Sequence, residues 1–429
     1  MSIWQSAKSA AGVNRPRRRH ASRRGAPAIG PLPVPPAKLA KKLKAAVRRY
    51  STKDWRGWVQ CGLQYLRYLV ESRFPQYNDW SAQFPPDLNY GVIEWRLPAT
   101  CKVVLIGDWG THMTDNVAML RQALKKFSPD AIIHLGDIYY SGTRRECTEN
   151  VVGVVDALVA ELRIRRPPFF TLPGNHDYYS GGRGFYEMLG RVNAELPGRE
   201  QKASYFCLRT ADDRWQFLGM DTGYNDRHPI SHDVAPALVP SEAEWHRDKL
   251  KHFGGTTVLL SHHQLFTARE RLNSGARPWL NENLHATFEP YFDRVAAWFW
   301  GHEHNLILFR DNLRFPGDAK PLRKGRLIGC SAYEETATDD PFRVDRACKA
   351  AAFMDNMPRL QLSKYRNATQ RFYNHAFALL DVTPQQIKVS YYEYPSWDPD
   401  AAPPEPELGP PIFLEVLLPA PTPAGSARP

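Results

Sequence analysis

A chain of 429 residues with 43% hydrophobic and 12% aromatic side chains holds ample material for one large buried core or two ordinary ones. No run of 18 or more apolar residues occurs, so no transmembrane helix is expected. The net charge of +11 invites a nucleic-acid reading until it is located. Residues 1–50 hold thirteen Lys and Arg and no Asp or Glu, leaving 43 basic against 45 acidic residues in the remainder, so the excess belongs to a tail and not to the body.

Residues 1–36 are basic and then Pro-rich ("GAPAIGPLPVPPA") and are expected to be disordered. The prolines make a poor secretory apolar segment, so no signal peptide is read and a cytoplasmic location is expected. Residues 37–95 are read as a helical extension. Leu39, Leu43, Ala46, Val47 and Tyr50 fall on one face, with Lys41, Lys42, Lys44, Arg48 and Arg49 around it, and helical patterning continues to Phe74. Such a basic amphipathic helix packs on a neighbouring domain, or lies on anionic lipid or nucleic acid.

Residues 96–394 alternate short apolar strands with helical stretches. "VVLIG" precedes a helix opening near Thr114, with Val117, Leu120, Leu124 and Phe127 on its inner face; "AIIHLG" is the next strand, and the helix "VVGVVDALVAELR" leads to "PFFTL". "WQFLGM", "TTVLLS", "AAWFW", "RLIGC", "HAFALLDV" and "QIKVSYYE" continue the series, and Ser241 to Glu244 reads as a capping box before the helix carrying Trp245 and Leu250. Strand–helix–strand units followed by paired strands predict an α/β core of two packed sheets flanked by helices. Residues 395–429 are Pro-rich and read as unstructured. Six cysteines without close spacing read as reduced, mostly buried thiols.

Polar residues gather where these strands end. Asp108 follows the first strand and Asp137 the second; "PGNHD" brings Asn175 and His176 after the third; "LLSHHQ" places His262 and His263, and "WGHEH" places His302 and His304, after later ones. In α/β sheets functional groups collect beyond the carboxyl ends of strands. Carboxylate, amide and imidazole donors without thiolates suit divalent or trivalent first-row metals better than calcium. Two ions sharing one carboxylate can activate a water and clamp a phosphoryl group. Asp108 and His304 would hold one ion and Asn175, His262 and His302 the other, with Asp137 between them. His176 follows a ligand directly, so its ring can reach substrate as a general acid or hydrogen-bond donor.

With those residues in view the sequence resembles the calcineurin-like metallophosphoesterases, through "GDWG", "GDIYY", "GNHD", "SHH" and "GHEH" over roughly residues 102–394. The resemblance implies a four-layer α-β-β-α sandwich, a dinuclear metal centre and phosphoester hydrolysis. It supports Asp108, Asp137, Asn175, His262, His302 and His304 as ligands and His176 as the catalytic histidine. One departure narrows it: the commonest members carry Asp-x-His in the first block, and here Gly110 stands at that histidine. The purple acid phosphatase-like branch also has glycine there, with a tyrosine ligand three residues after the bridging aspartate, at Tyr140 in this chain. The implied cofactors are two metal ions, Fe with Fe, Mn or Zn. Two other readings stand beside this one: Tyr139 and Tyr140 pack beside the site, or His112 folds back as ligand.

The expected partner is a small phosphoester, a phosphomonoester or nucleotide. A phosphodiesterase or nuclease aided by the basic tail is the alternative, with nucleic acid or an anionic surface as the tail's partner; a non-catalytic scaffold of the same fold is the third. His134 reads as a core histidine, His263 as supporting the site or facing substrate, Asp221 as a loop-shaping residue, His375 as a candidate for the site mouth, and residues 331–371 as a lid or a plain insertion.

Overall fold

The computed structural model describes residues 54–71, 74–78, 94–197, 201–229, 235–267, 269, 271–333, 373–396 and 405–420. The expectations for residues 1–36, for the helix face from Leu39 to Tyr50, for residues 334–371 and for Cys348 lie outside these residues.

Among the described residues thirteen strands form two sheets. The first holds six: β2 (Cys101–Ile106), β3 (Ala131–His134) and β4 (Phe169–Thr171) run parallel, and β11 (His375–Val382), β12 (Ile387–Tyr394) and β13 (Phe413–Leu417) extend it antiparallel from the edge of β2. The second holds seven, in the order β1 (Glu94–Leu97), β5 (Phe206–Thr210), β6 (Trp215–Gly219), β7 (Thr256–Ser261), β8 (Val295–Trp300), β10 (Gly325–Ile328) and β9 (Leu306–Leu308). Here β6, β7, β8 and β10 are parallel neighbours.

The strands read as unbroken apolar runs because both faces of each sheet are covered. Between the sheets lie Val103, Leu105, Ile133, Phe170, Phe217, Val258, Leu260, Phe299, Ile328 and Val389. The outer face of the six-stranded sheet packs on α2 (Thr114–Phe127), α3 (Gly153–Leu162) and, beyond the short α4 (Asn175–Tyr178), α5 (Arg183–Val192), through residues such as Leu120, Leu124, Leu158 and Leu189. The outer face of the seven-stranded sheet packs on α6 (Pro240–His252) and α7 (Glu282–Phe288), through Trp245, Leu250, Leu284 and Phe288. The architecture is the expected four-layer α-β-β-α sandwich. Before it comes α1 (Trp55–Glu71), within the expected helical extension; its first turn is capped by Asp54, whose Oδ1 accepts from the Gly57 N–H at 3.1 Å.

Two local expectations fail. The capping box at Ser241 and Glu244 is not formed: α6 starts at Pro240, so both residues lie inside the helix and Val239 holds the cap position. Residues 395–429 are not wholly unstructured, because Phe413–Leu417 pair with β12 as the edge strand β13. Its Glu415 explains why: the carboxylate meets Arg326 at 2.8 and 2.7 Å, Lys324 at 3.0 Å and the Tyr391 hydroxyl at 2.6 Å. The five described cysteines are buried, as expected.

Candidate metal centre

Parallel pairing puts the carboxyl ends of β2, β3 and β4 at one edge of their sheet, and those of β7 and β8 at one edge of theirs. Every candidate ligand lies within a few residues of such an end. Three of them, Asp108 (φ 56°), Asp137 (φ 70°) and His302 (φ 69°), adopt left-handed backbone. Non-glycine residues tolerate this at a cost of roughly 1–3 kcal/mol each where surrounding structure holds them, and such strain collects at functional sites.

Two groups of side chains meet across Asp137. In the first, the Tyr139 hydroxyl lies 3.2 Å from Asp108 Oδ1, 3.2 Å from Asp137 Oδ2 and 2.9 Å from His304 Nε2. In the second, Asn175 Oδ1 lies 3.1 Å from His262 Nε2 and 3.2 Å from His302 Nδ1, and those two ring nitrogens are 3.2 Å apart. Asp137 Oδ1 is 3.4 Å from His262 Nε2, so its two oxygens face the two groups.

The second group makes a specific demand. His262 Nδ1 lies 2.9 Å from the Leu135 carbonyl, which can only accept, so Nδ1 carries the proton and Nε2 presents a lone pair. Burial, then neighbouring His263, hold the His262 and His302 rings well below their ordinary pKa, so they are neutral. A lone pair on His262 Nε2 therefore points at the oxygen of Asn175 with no proton between them, an arrangement that could hold a cation. Ligands at right angles on an ion with bonds of about 2.1 Å lie about 3 Å apart, close to the spacing of these three atoms.

The first group shows the same want of positive charge. Asp108 and Asp137 are buried, and among the described residues the only basic groups within 4.0 Å of them are imidazoles. Burial, then the charge of Asp137, push the Asp108 carboxyl well above the usual range. Burial holds His304 down to about 3. Asp108, Asp137 and His262 present donor atoms within 4.8 Å of one another, as do His262, His263 and His302; either set could hold a metal ion.

Gly110 is closed to any side chain. A Cβ there would come within 2.6 Å of the Asp137 carbonyl oxygen and of the Ile138 Cα, so the loop after β2 must pass bare against the loop after β3. The tyrosine facing the site is Tyr139, not Tyr140. The Tyr140 hydroxyl instead donates to Asp54 Oδ2 at 2.8 Å, its N–H donates to Glu146 Oε1 at 2.7 Å, and its ring lies against Gly57. Tyr140 lines a separate cleft of about 820 Å³ between α1 and residues 143–150. His112 is exposed.

His176 sits beside the site. Its Nδ1–H donates to the Tyr140 carbonyl at 2.6 Å, leaving Nε2 4.0 Å from Asp137 Oδ2. Its backbone N–H donates to Asp137 Oδ1 at 3.1 Å, and Asp177 Oδ2 accepts from the Asp137 and Gly174 N–H groups at 3.0 and 2.8 Å, tying the two loops together. His134 is a core histidine as read, bonded to Thr171. His263 is buried, with Nε2 3.2 Å from Asp226 Oδ2 and its ring 4.3 Å from that of His302. His375 pairs with Asp115 at 3.0 Å, at the start of α2.

Three contributors escaped the sequence reading. Trp58 of α1 packs its ring 5.5 Å from that of His176, Tyr333 lies 4.2 Å from the His304 ring, and Asp226 backs His263. None of these three follows a strand-end motif, whereas Tyr139 was visible in the doubled tyrosine after Asp137.

Comparison with family models matches residues 101–306 to the calcineurin-like phosphoesterases. Among solved structures the chain is similar to PhoD, at 14% identity and a TM-score of 0.45 over 74% of this chain and 69% of that one. It is also similar to GAP50, the anchor in the inner membrane complex of Plasmodium, at 11% identity and a TM-score of 0.43 over 75% and 89%. A third similar structure is purple acid phosphatase PPD1 from yellow lupin seeds, at 14% identity and a TM-score of 0.42 over 69% and 52%. Comparison with curated proteins gave no match.

Proposed function

We propose, on the match of residues 101–306 to the calcineurin-like phosphoesterases, that this chain is a phosphoester hydrolase that works through two metal ions with Asp137 between them. Asp108, Tyr139 and His304 would hold one ion; Asn175, His262 and His302 would hold the other. The observation that carries this reading is Asp137 itself, whose Oδ2 is 3.2 Å from the Tyr139 hydroxyl while Oδ1 is 3.4 Å from His262 Nε2.

The donor set fits such a centre: neutral imidazoles with lone pairs turned inward, two buried carboxylates without Lys or Arg, and one phenol. When bound, the ions supply Lewis-acid polarisation of the phosphoryl group and an activated water. The chain's own residues do the rest. His262 is fixed in its tautomer by the Leu135 carbonyl. His176 is oriented by the Tyr140 carbonyl, so its Nε2 is the atom that meets the ester; with the ring as imidazolium, Nε2–H can donate a proton to the departing oxygen or a hydrogen bond to the phosphoryl group. A phenol among the ligands favours a ferric ion in the first position, with Fe, Mn or Zn in the second. The substrate class is a phosphomonoester or nucleotide.

The test is hydrolysis of aryl phosphate monoesters, diesters and nucleotides by the purified chain, before and after chelation, beside His176→Ala. The expected result is metal-dependent monoester hydrolysis, with kcat lowered by roughly 10²–10⁴ in His176→Ala while metal content is unchanged. Hydrolysis that survives complete chelation, or loss of metal from the His176 variant, would overturn the assignment.

A further inference from the structure

The outer face of α1 is apolar and uncovered. Trp55, Val59, Leu63, Leu66, Leu69 and Val70 fall within one third of the helix circumference at 3.6 residues per turn, and each is between 48% and 88% exposed. The opposite face is already engaged: Gly57, Cys61 and Tyr68 are buried, Gly57 lies against the Tyr140 ring, and Tyr68 against Gly181. The outer stripe therefore contributes nothing to holding the helix in place, yet exposes six large apolar side chains in a row. Scattered exposed apolar residues are ordinary; a contiguous stripe marks a contact surface.

We propose that α1 docks this stripe into the headgroup region of an anionic lipid bilayer, with the basic segment that precedes it in the sequence supplying the electrostatic half of the attachment. Three observations choose this occupant. First, charge: residues 1–50 carry thirteen Lys and Arg and no acid, while the remainder is nearly neutral, so the cations are concentrated in the segment leading into α1. An apolar helix face together with a polybasic segment is the two-signal arrangement that gives stable attachment to anionic membranes. Second, the border of the stripe: Arg56 and Arg67 flank it on one side and Trp55 stands at its start, with the Arg56 guanidinium 5.4 Å from the Trp55 ring, an amphipathic pair suited to the interface. Third, size: the stripe offers six side chains along a helix about 25 Å long, against roughly 20–30 residues a side in a stable protein interface. A second copy docked there would also bring its own thirteen cations. The helix lies on the bilayer and does not cross it, since no described helix is long and apolar enough to span one.

The experiment is flotation of the full chain with vesicles of phosphatidylcholine alone, and of phosphatidylcholine with about 30% phosphatidylserine, at low and high salt. The expected result is binding to the serine-containing vesicles that weakens with salt, and little binding to the neutral ones. Leu66→Gln/Val70→Gln adds no charge and removes two of the stripe's side chains. It should lower the partition coefficient at least about tenfold, with the thermal unfolding temperature and the basal hydrolysis of a soluble phosphoester unchanged. Failure of the full chain to bind either vesicle overturns the proposal. So does equal binding by the variant, which would assign the attraction to the basic segment alone. A concentration-dependent dimer that the same substitutions dissolve, without lipid binding, would give the stripe to a second copy of the chain instead.

Discussion

Two buried acidic clusters of this molecule are built to opposite plans. At the edge of the six-stranded sheet, Glu415 is met by Arg326 through two hydrogen bonds, by Lys324 at 3.0 Å and by the Tyr391 hydroxyl. Burial alone would raise its pKa, but these partners override it and hold the carboxyl down to about 2. At the strand ends, Asp108 and Asp137 have no Lys or Arg partner among the described residues; the Tyr139 hydroxyl lies 3.2 Å from each, and burial still holds Asp108 well above the usual range. The first cluster is neutralised by the chain itself. The second has imidazole and amide lone pairs turned toward its carboxylates, an arrangement that could hold a metal ion. Burial of charge is thus not the signal of a candidate metal centre; buried carboxylates that meet inward-turned imidazole lone pairs and no Lys or Arg are.

Substitutions can break this contrast. The largest effect is expected at Asp137→Asn, which removes the charge shared by both groups. Several kcal/mol of metal-derived transition-state stabilisation would go, lowering kcat by roughly 10³ or more, and metal content should fall with it. Two tightly held ions with near-normal turnover in this variant would refute the shared role. At the other cluster, Arg326→Met should lower unfolding free energy by about 3 kcal/mol, the low end for a broken buried pair because Lys324 remains. Arg326→Met/Glu415→Leu should recover most of that loss, and neither variant should change metal stoichiometry. Urea unfolding with metal analysis separates the two cases; a stability loss in the double variant equal to that in the single one would mean Glu415 was not the group left stranded.

A finer test lies within the metal centre. Tyr139→Phe should weaken one ion by roughly 10–100-fold and abolish any colour from phenolate bound to ferric iron, whereas Tyr140→Phe should leave metal binding within about twofold. The reverse pattern would restore Tyr140 to the site.

The difference between these tyrosines shows what the sequence could reveal. Asp108, Asp137, Asn175, His262, His302 and His304 were legible because each follows an apolar strand, and parallel strands bring their carboxyl ends to one edge. The choice between Tyr139 and Tyr140 was not, because it depends on Asp54, 86 residues away, holding the Tyr140 hydroxyl, and on Gly57 leaving room for its ring. The strand at Phe413–Leu417 was hidden similarly: its flanks are Pro-rich, and the reason it is ordered is Arg326, 89 residues earlier. Chain-local patterns carried the layers; contacts between distant segments decided the exceptions.

The smallest effect concerns a third acidic pair, Asp221 and Glu242, satisfied by Tyr178, Tyr77 and backbone N–H groups instead of a cation. Burial, then Glu242, push Asp221 up to about 7, and burial pushes Glu242 up to about 8. The folded state therefore keeps protons that the unfolded chain releases above its ordinary carboxyl pKa, so the contribution of this pair to stability is fully present below about pH 4 and is lost as pH rises to about 8. Glu242→Gln should gain on the parent protein across that window, by on the order of 1 kcal/mol between pH 5 and pH 9 in parallel thermal melts. A difference independent of pH would mean that Glu242 does not titrate there.

The contrast between the two clusters rests most directly on the number and place of bound ions. Anomalous X-ray diffraction from crystals of the protein purified with its own metals would count and locate them. The account predicts two ions per chain on either side of Asp137, one bonded to the Tyr139 oxygen and the other to Asn175, His262 and His302. A single ion, none, or two ions that do not share Asp137 would contradict it.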